Sequence, residues 1–275
     1  MSIFCSFLGV PCNLPELILS VLTERRNMAT SMMTPSKRMA SALVGTLLGI
    51  VVVAGVGFTL HSFSQDPSGK LYATKSTETI DLNGKTYPKA SIELSVYGDN
   101  AQEKELGGKQ LNGKVNSKDW VHYGPSTHVI LPAHTYVTMT IKAYDSGEKL
   151  ANAYFGKVVG TVDGTMLLDG QPVKEVSADA VQHTFTLHGL PTTSQDPLFV
   201  NIPLVKVETN DKGDELPTKD SATNFKGHTM TFSFLTGGKG EYVWNCEYPC
   251  GDGTYGKFGN AMSAYGYMSG KVSVI

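Results

Sequence analysis

From Met39 to Leu60 the chain reads MASALVGTLLGIVVVAGVGFTL, without a single charged residue. A run of about 22 apolar positions is long enough to cross ~30 Å of hydrocarbon as a helix, the element that satisfies its own backbone polar groups in lipid. After residue 60 helical periodicity all but disappears. Short runs of alternating apolar and polar residues take over, each bounded by Gly, Pro, Asn or Asp. They are IDLNGKTY with an Asn83-Gly84 turn, ASIELSVYG, THVILPAHTYVTMTIKAYD, VQHTFTL, LFVNIPLVKV, HTMTFSFL, EYVWNC and a terminal KVSVI. A period of two with frequent turn signals predicts half-buried strands. Their number and spacing predict an all-β domain, an antiparallel β-sandwich with Greek-key connections, preceded by one N-terminal transmembrane helix.

The pattern divides the chain into an N-terminal segment at 1–38, the apolar span at 39–60, a polar tether at 61–79 and the β-domain at 80–275. Lys37 and Arg38 directly precede the apolar run. The positive-inside rule then puts residues 1–38 in the cytoplasm and the β-domain outside it, on a single-pass anchor in the cell membrane. A cleaved signal peptide has the same order of charge and apolar run. The length of the run and the lack of a following Ala-x-Ala site favour the anchor. Residues 1–27 share no pattern with the anchor, and Glu24-Arg25-Arg26 is encodable by a purine-rich stretch like a bacterial ribosome-binding site, so translation is expected to start at Met28, Met32 or Met33. Residues 98–127 and 206–227 read as long loops or insertions, and 148–180 as a mixture of strand and loop.

The 275 residues carry a formal net charge of -2, which gives no bias toward nucleic acid. No Cys-x-x-Cys-His, phosphate-binding loop, His-Glu-x-x-His or nucleophile elbow is present, and no local nucleophile–base pair suggests a hydrolase. Asp163, Asp169, Asp211, Asp214 and Asp252 lie in or beside glycine-containing loops, where turn formation explains them better than calcium binding.

The candidate chemistry is sulfur and imidazole. Alternation in VQHTFTL puts Val181, His183, Phe185 and Leu187 on one face, so His183 points toward the core, where an ordinary buried histidine is the simpler explanation. In EYVWNC the residues Tyr242, Trp244 and Cys246 share a face, and Cys246 ends a strand on its inward side. Cys250 follows after residues 247–249, then a glycine-rich loop, then Met268-Ser269-Gly270 leading into the last strand. In an oxidising compartment two cysteines so close in sequence also suit a disulfide, with Met268 as core filler.

An upstream histidine, a hairpin ending in cysteine, a loop, and a methionine before a final Val-rich strand resemble the cupredoxins. The Cys-x-x-x-Cys spacing resembles, more narrowly, the binuclear copper domain of cytochrome c oxidase subunit II and nitrous oxide reductase. The likeness covers roughly residues 130–275, and its specific part is confined to the C-terminal segment. It implies a metal set of His183, Cys246, Cys250 and Met268, with Tyr242 and Trp244 shielding it. Copper is the implied cofactor, since soft sulfur and imidazole are what copper favours. The ligand set is degenerate, because Thr254, or Tyr265 counted from the C-terminal end, stands where that family has a second histidine. His188, His122, His128 and His134 are the candidates to replace it. The resemblance implies an electron carrier or copper-binding domain rather than an enzyme, with cytochrome or oxidase subunits as partners. The alternative is a metal-free interaction module with a Cys246–Cys250 disulfide.

Overall fold

A computed structural model describes residues 35–64, 69–98, 120–146, 152–189, 194–208, 227–251 and 259–275. The chain divides into two compact units between Gln65 and Asp66.

In the first unit, helix α1 spans Pro35–Ser64, and within it Met39–Ser62 is long and apolar enough to cross a membrane. Proline is tolerated in a first helical turn, where its missing N–H has no intrahelical partner to lose. Leu47, Val53 and Phe58 point outward without cover, so the helix is apolar on every side, which suits lipid and not a half-buried packing face. The Thr46 hydroxyl donates to the Ala42 carbonyl at 2.9 Å, and Thr59 likewise donates to Gly55, so both threonine hydroxyls within the span are satisfied locally. The expected start codons and residues 1–27 lie outside the described residues.

The second unit is the all-β domain that the alternation predicts. One sheet contains, in spatial order, β1 (Lys70–Tyr72), β5 (His128–Leu131), β13 (Ser269–Val274), β12 (Gly240–Asn245), β9 (Val181–Gly189) and β10 (Phe199–Val205). The other contains β2 (Thr74–Leu82), β3 (Lys85–Tyr97), β6 (Tyr136–Ala143), β11 (His228–Leu235), β7 (Met166–Leu168) and β8 (Gln171–Val173), with β4 (His122–Gly124) also paired to β3. Alternate residues of β6 (Val137, Met139, Ile141) and β11 (Met230, Phe232, Phe234) meet Val129, Phe185, Leu187, Trp244 and Val272 of the opposing sheet in one core. The Asn83-Gly84 turn is present, with both residues at positive φ, as a two-residue hairpin turn requires.

Three differences from the sequence expectation have physical causes. The sandwich is mixed rather than purely antiparallel, because β3 pairs with β6, β5 with β13 and β1 with β5 in parallel. Parallel neighbours need a crossover, and β5, lying in the opposite sheet between β3 and β6 in sequence, supplies one. The long run THVILPAHTYVTMTIKAYD accordingly breaks at Pro132–Thr135, where His134 has φ 50° and the Thr236 hydroxyl donates to the Pro132 carbonyl at 2.7 Å. The sheets also begin at Lys70, inside the stretch expected to be a tether. Strand β2 lies mostly exposed beside β3, and an exposed strand needs no apolar alternation to pair through its backbone. Within 148–180 a 3-10 turn at Ala153–Gly156 precedes the β7–β8 hairpin, whose Asp169-Gly170 turn has both residues at positive φ.

Candidate metal centre

Strand β9 is buried on both faces from Val181 to Leu187, which is why its polar residues matter. On one face Thr184 and Thr186 form a closed chain. The Glu247 N–H donates to Thr184 Oγ1, the two hydroxyls lie 3.0 Å apart, Thr186 donates to Asn201 Oδ1, and Asn201 Nδ2 donates to the carbonyls of Phe155 and Lys157. On the other face stands His183, with Phe185 and Leu187 continuing into the core.

Cys246 follows the last residue of β12, and a backbone ladder ties the C-terminal loop around it. The Cys246 N–H donates to the Met268 carbonyl at 3.0 Å, the Met268 N–H to Ala261 at 2.8 Å, and the Ala261 N–H to Cys250 at 3.2 Å. Ala261 belongs to a short helical turn, α2 (Asn260–Ser263). Gly251, at φ 79°, lets the chain leave Cys250 beside it, and a Cβ there would stand 2.8 Å from the Ala261 nitrogen.

These constraints bring three ligating atoms within 4.8 Å of one another: one His183 ring nitrogen, Cys246 Sγ and Cys250 Sγ. His183 Nδ1 lies 3.0 Å from Cys250 Sγ and 3.7 Å from Cys246 Sγ, and the two sulfurs are 3.3 Å apart. The two sulfurs are not bonded to each other, so a Cys246–Cys250 disulfide is not what the structure contains. All three residues are buried, with Cys246 wholly inaccessible. Met268 is equally inaccessible, belongs to the same core and is linked to Cys246 through its carbonyl.

The electrostatics of the three groups are interdependent. Burial opposes charging His183, but hydrogen bonds to Asp145 and Cys246 outweigh it and raise its pKa to about 9. Burial also opposes the Cys246 thiolate, yet Cys250 and His183 beside it bring its pKa well below the usual thiol range, helped by the Thr184 N–H. Burial and then the neighbouring Cys246 sulfur push Cys250 well above that range. Without metal the cluster therefore favours one thiolate, one thiol and an imidazolium. Cys246 Sγ accepts backbone N–H donors from Thr184 at 3.3 Å and Tyr248 at 3.4 Å.

The aromatic shield differs from the expected one. Trp244, two residues before Cys246 on β12, packs edge-on against Tyr123 at 4.5 Å and near Phe185 at 5.2 Å, while its indole N–H donates to the Thr127 carbonyl. Tyr242 sits further back along β12, opposite Gly189, and donates to the Asp196 carbonyl. Its expected place is taken by Tyr123, whose hydroxyl is raised well above its ordinary pKa by burial and then by Cys246 and Cys250, and by Tyr248, whose ring stands 6.4 Å from that of His183.

None of the proposed replacement histidines joins the cluster among the described residues. His122 packs on Tyr97 with Nδ1 3.2 Å from the Trp120 carbonyl, His128 contacts Ser273 Oγ, His188 contacts Asn245, and His134 turns the β5–β6 corner. Tyr265 lies under the Lys271 ammonium, 5.2 Å away, and Thr254 is outside the described residues. Asp169 accepts from the Thr229 N–H and contacts His228, a turn role, whereas Asp211, Asp214 and Asp252 lie outside the described residues. Sequence reasoning missed Asp145. It closes the alternating run of β6, and its Oδ2 lies 2.8 Å from His183 Nε2, a contact between elements distant in sequence that no local pattern signals.

No protein-family model and no curated protein sequence matches the chain. Among solved structures, auracyanin B is similar at a TM-score of 0.28 and 12% identity, over 74% of this chain and 97% of that one. Reduced rusticyanin is similar at 0.28 and 11%, over 68% and 84%. Another rusticyanin structure, described as a copper protein, gives 0.26 and 11%, over 68% and 82%.

Proposed function

We propose that the β-domain is a cupredoxin-like copper-binding domain that carries single electrons, held at the outer face of a membrane by α1. The observation that carries this reading is the convergence of His183 Nδ1, Cys246 Sγ and Cys250 Sγ inside a buried, apolar end of the sandwich. A tetrahedral ion with bonds of ~2.3 Å to sulfur and ~2.0 Å to nitrogen, lengths typical of zinc sites, holds its donors ~3.5–3.8 Å apart. The distances of 3.0–3.7 Å come close to that spacing, so small side-chain shifts suffice to admit an ion. Two thiolates and an imidazole, with the thioether of Met268 as the fourth donor, form a soft set suited to copper. Bound copper would supply a one-electron couple between its cuprous and cupric states.

The chain's own residues do the rest. Thr184 and Tyr248 fix the Cys246 sulfur through their N–H groups, and Trp244, Tyr123 and Phe185 exclude water. Lys37 and Arg38, ahead of the apolar span, support a cytoplasmic N-terminus and an external domain. The sequence resemblance to oxidase subunit II supports a cytochrome or respiratory oxidase as partner.

The test is anaerobic addition of copper to the full chain, reduced and purified in detergent. An intense sulfur-to-copper absorption, absent from Cys246→Ser, is expected. A native protein whose two cysteines are disulfide-bonded and which stays colourless after reduction would favour the metal-free interaction module instead.

A further inference from the structure

The His183 ring is gripped at both nitrogens. Nδ1 faces the two sulfurs, while Nε2 lies 2.8 Å from Asp145 Oδ2, and the imidazole and carboxylate side chains are only 3% and 15% exposed. A neutral imidazole holds one ring proton, donates there, and offers a lone pair at the other nitrogen. An ionised carboxylate only accepts. With Asp145 at Nε2, the tautomer protonated on Nε2 gains a charge-assisted hydrogen bond, whereas the other would set a lone pair against a negative oxygen at close range.

The two residues come from different sheets, Asp145 just beyond the end of β6 and His183 near the start of β9. The Asp145 backbone is pinned as well, since its carbonyl accepts the Val207 N–H at 3.1 Å and the neighbouring Tyr144 N–H donates to Val96 at 2.9 Å. The contact therefore sets the ring's rotation from a strand that carries none of the ligands, and it joins the sheets at the metal end. Outer partners of this kind commonly orient metal-binding histidines.

We infer that Asp145 is a positioning residue, which holds the His183 imidazole in the Nε2-protonated tautomer so that the Nδ1 lone pair is directed at Cys246 and Cys250. The inference deepens the copper reading and rests on it for its consequence, although the ring's orientation, and its tautomer once the imidazolium has lost a proton, are properties of the metal-free chain too.

The experiment uses the full reduced chain in detergent, carrying ring-labelled histidine, as parent, Asp145→Ala, Asp145→Asn and Glu93→Gln. Glu93 is an exposed carboxylate paired with Lys142, and its variant serves as control. Long-range proton–nitrogen spectra are read above pH 10 without metal and at neutral pH with cuprous ion, whose affinity is measured against a chromogenic chelator. The parent and the control should show His183 protonated at Nε2 and metallated at Nδ1. Asp145→Ala should lose that tautomer preference and about 10–100-fold in cuprous affinity, the range typical for loss of such a partner. Asp145→Asn, which keeps the shape and one acceptor oxygen, should fall between them, and it decides the matter if the alanine variant does not fold. Unchanged His183 resonances in the variants, with affinity within twofold of the parent, would overturn the assignment. If the parent takes up no copper, the copper reading fails, and the metal-free spectra still decide the role of Asp145.

Discussion

Adding one methyl group at Gly270 should loosen the sandwich around Thr127. Gly270 pairs with Trp244 across β13 and β12, and a Cβ there would overlap the Thr127 carbonyl oxygen and stand 2.8 Å from the Thr127 Cβ. Thr127 is a junction: its carbonyl accepts the Trp244 indole N–H at 3.1 Å and the Lys271 N–H at 3.0 Å, and its hydroxyl accepts the Gly266 N–H at 3.1 Å. In Gly270→Ala the overlap is with backbone, so no side-chain rotation relieves it. Overpacking of this kind costs ~1–3 kcal/mol. Displacing Thr127 also weakens the buried indole bond, for about 1 kcal/mol more. The total of ~3 kcal/mol corresponds to a melting temperature lower by roughly 6–12 °C for a domain of this size. Denaturant unfolding of the reduced metal-free chain, followed by tryptophan emission, measures it. A loss below ~0.5 kcal/mol, the ordinary scatter of harmless surface changes, would refute the claimed close approach of β13 to Thr127.

Three further outcomes follow from other parts of the molecule. Asn201→Ala removes the acceptor of the Thr186 hydroxyl and the side-chain donor to the carbonyls of Phe155 and Lys157, and should cost ~2–4 kcal/mol in urea unfolding, with no loss if those groups find other partners. The cluster should give the metal-free chain a pH profile of stability with a plateau. Among the three cluster residues only Cys246 has a lowered pKa, so as pH rises through it the folded chain binds fewer protons than the unfolded one and stability rises, at up to ~1.4 kcal/mol per unit. Between 6.5 and about 9 the extra proton on His183 offsets the one missing from Cys246, and above the ordinary thiol value of 9.0 Cys250 retains a proton that the unfolded chain releases, so stability falls. Replacing both cysteines with alanine should flatten this profile, and an unchanged profile would contradict it. Finally, protease added outside intact spheroplasts should remove the β-domain and leave a membrane-embedded fragment containing α1, whereas protection of the domain would contradict the proposed orientation.

The sequence was informative wherever burial imposes a period. Alternation in HTMTFSFL and EYVWNC located β11 and β12, and the inward position of Cys246 followed from the same period of two. The rest was hidden for identifiable reasons. Strand β2 is exposed and leaves no apolar signature, and the parallel pairing of β3 with β6 depends on a crossover through the other sheet that no single run encodes. At the site, proximity in the chain favoured the cysteine pair and strand polarity pointed His183 inward. Asp145 and Tyr123 were invisible because their roles arise from contacts between elements far apart in sequence. Tyr242 was misplaced for a simple reason, since sharing a strand face with Cys246 does not put it at the same end of the strand.

The most direct test of the copper reading is X-ray absorption at the copper edge on full-length protein reduced and loaded with copper. The account predicts scattering from two thiolate sulfurs, the Met268 thioether sulfur and one imidazole nitrogen per ion, with one thiolate sulfur lost in Cys250→Ser. A shell made only of oxygen and nitrogen, or no copper retained after desalting, would contradict it.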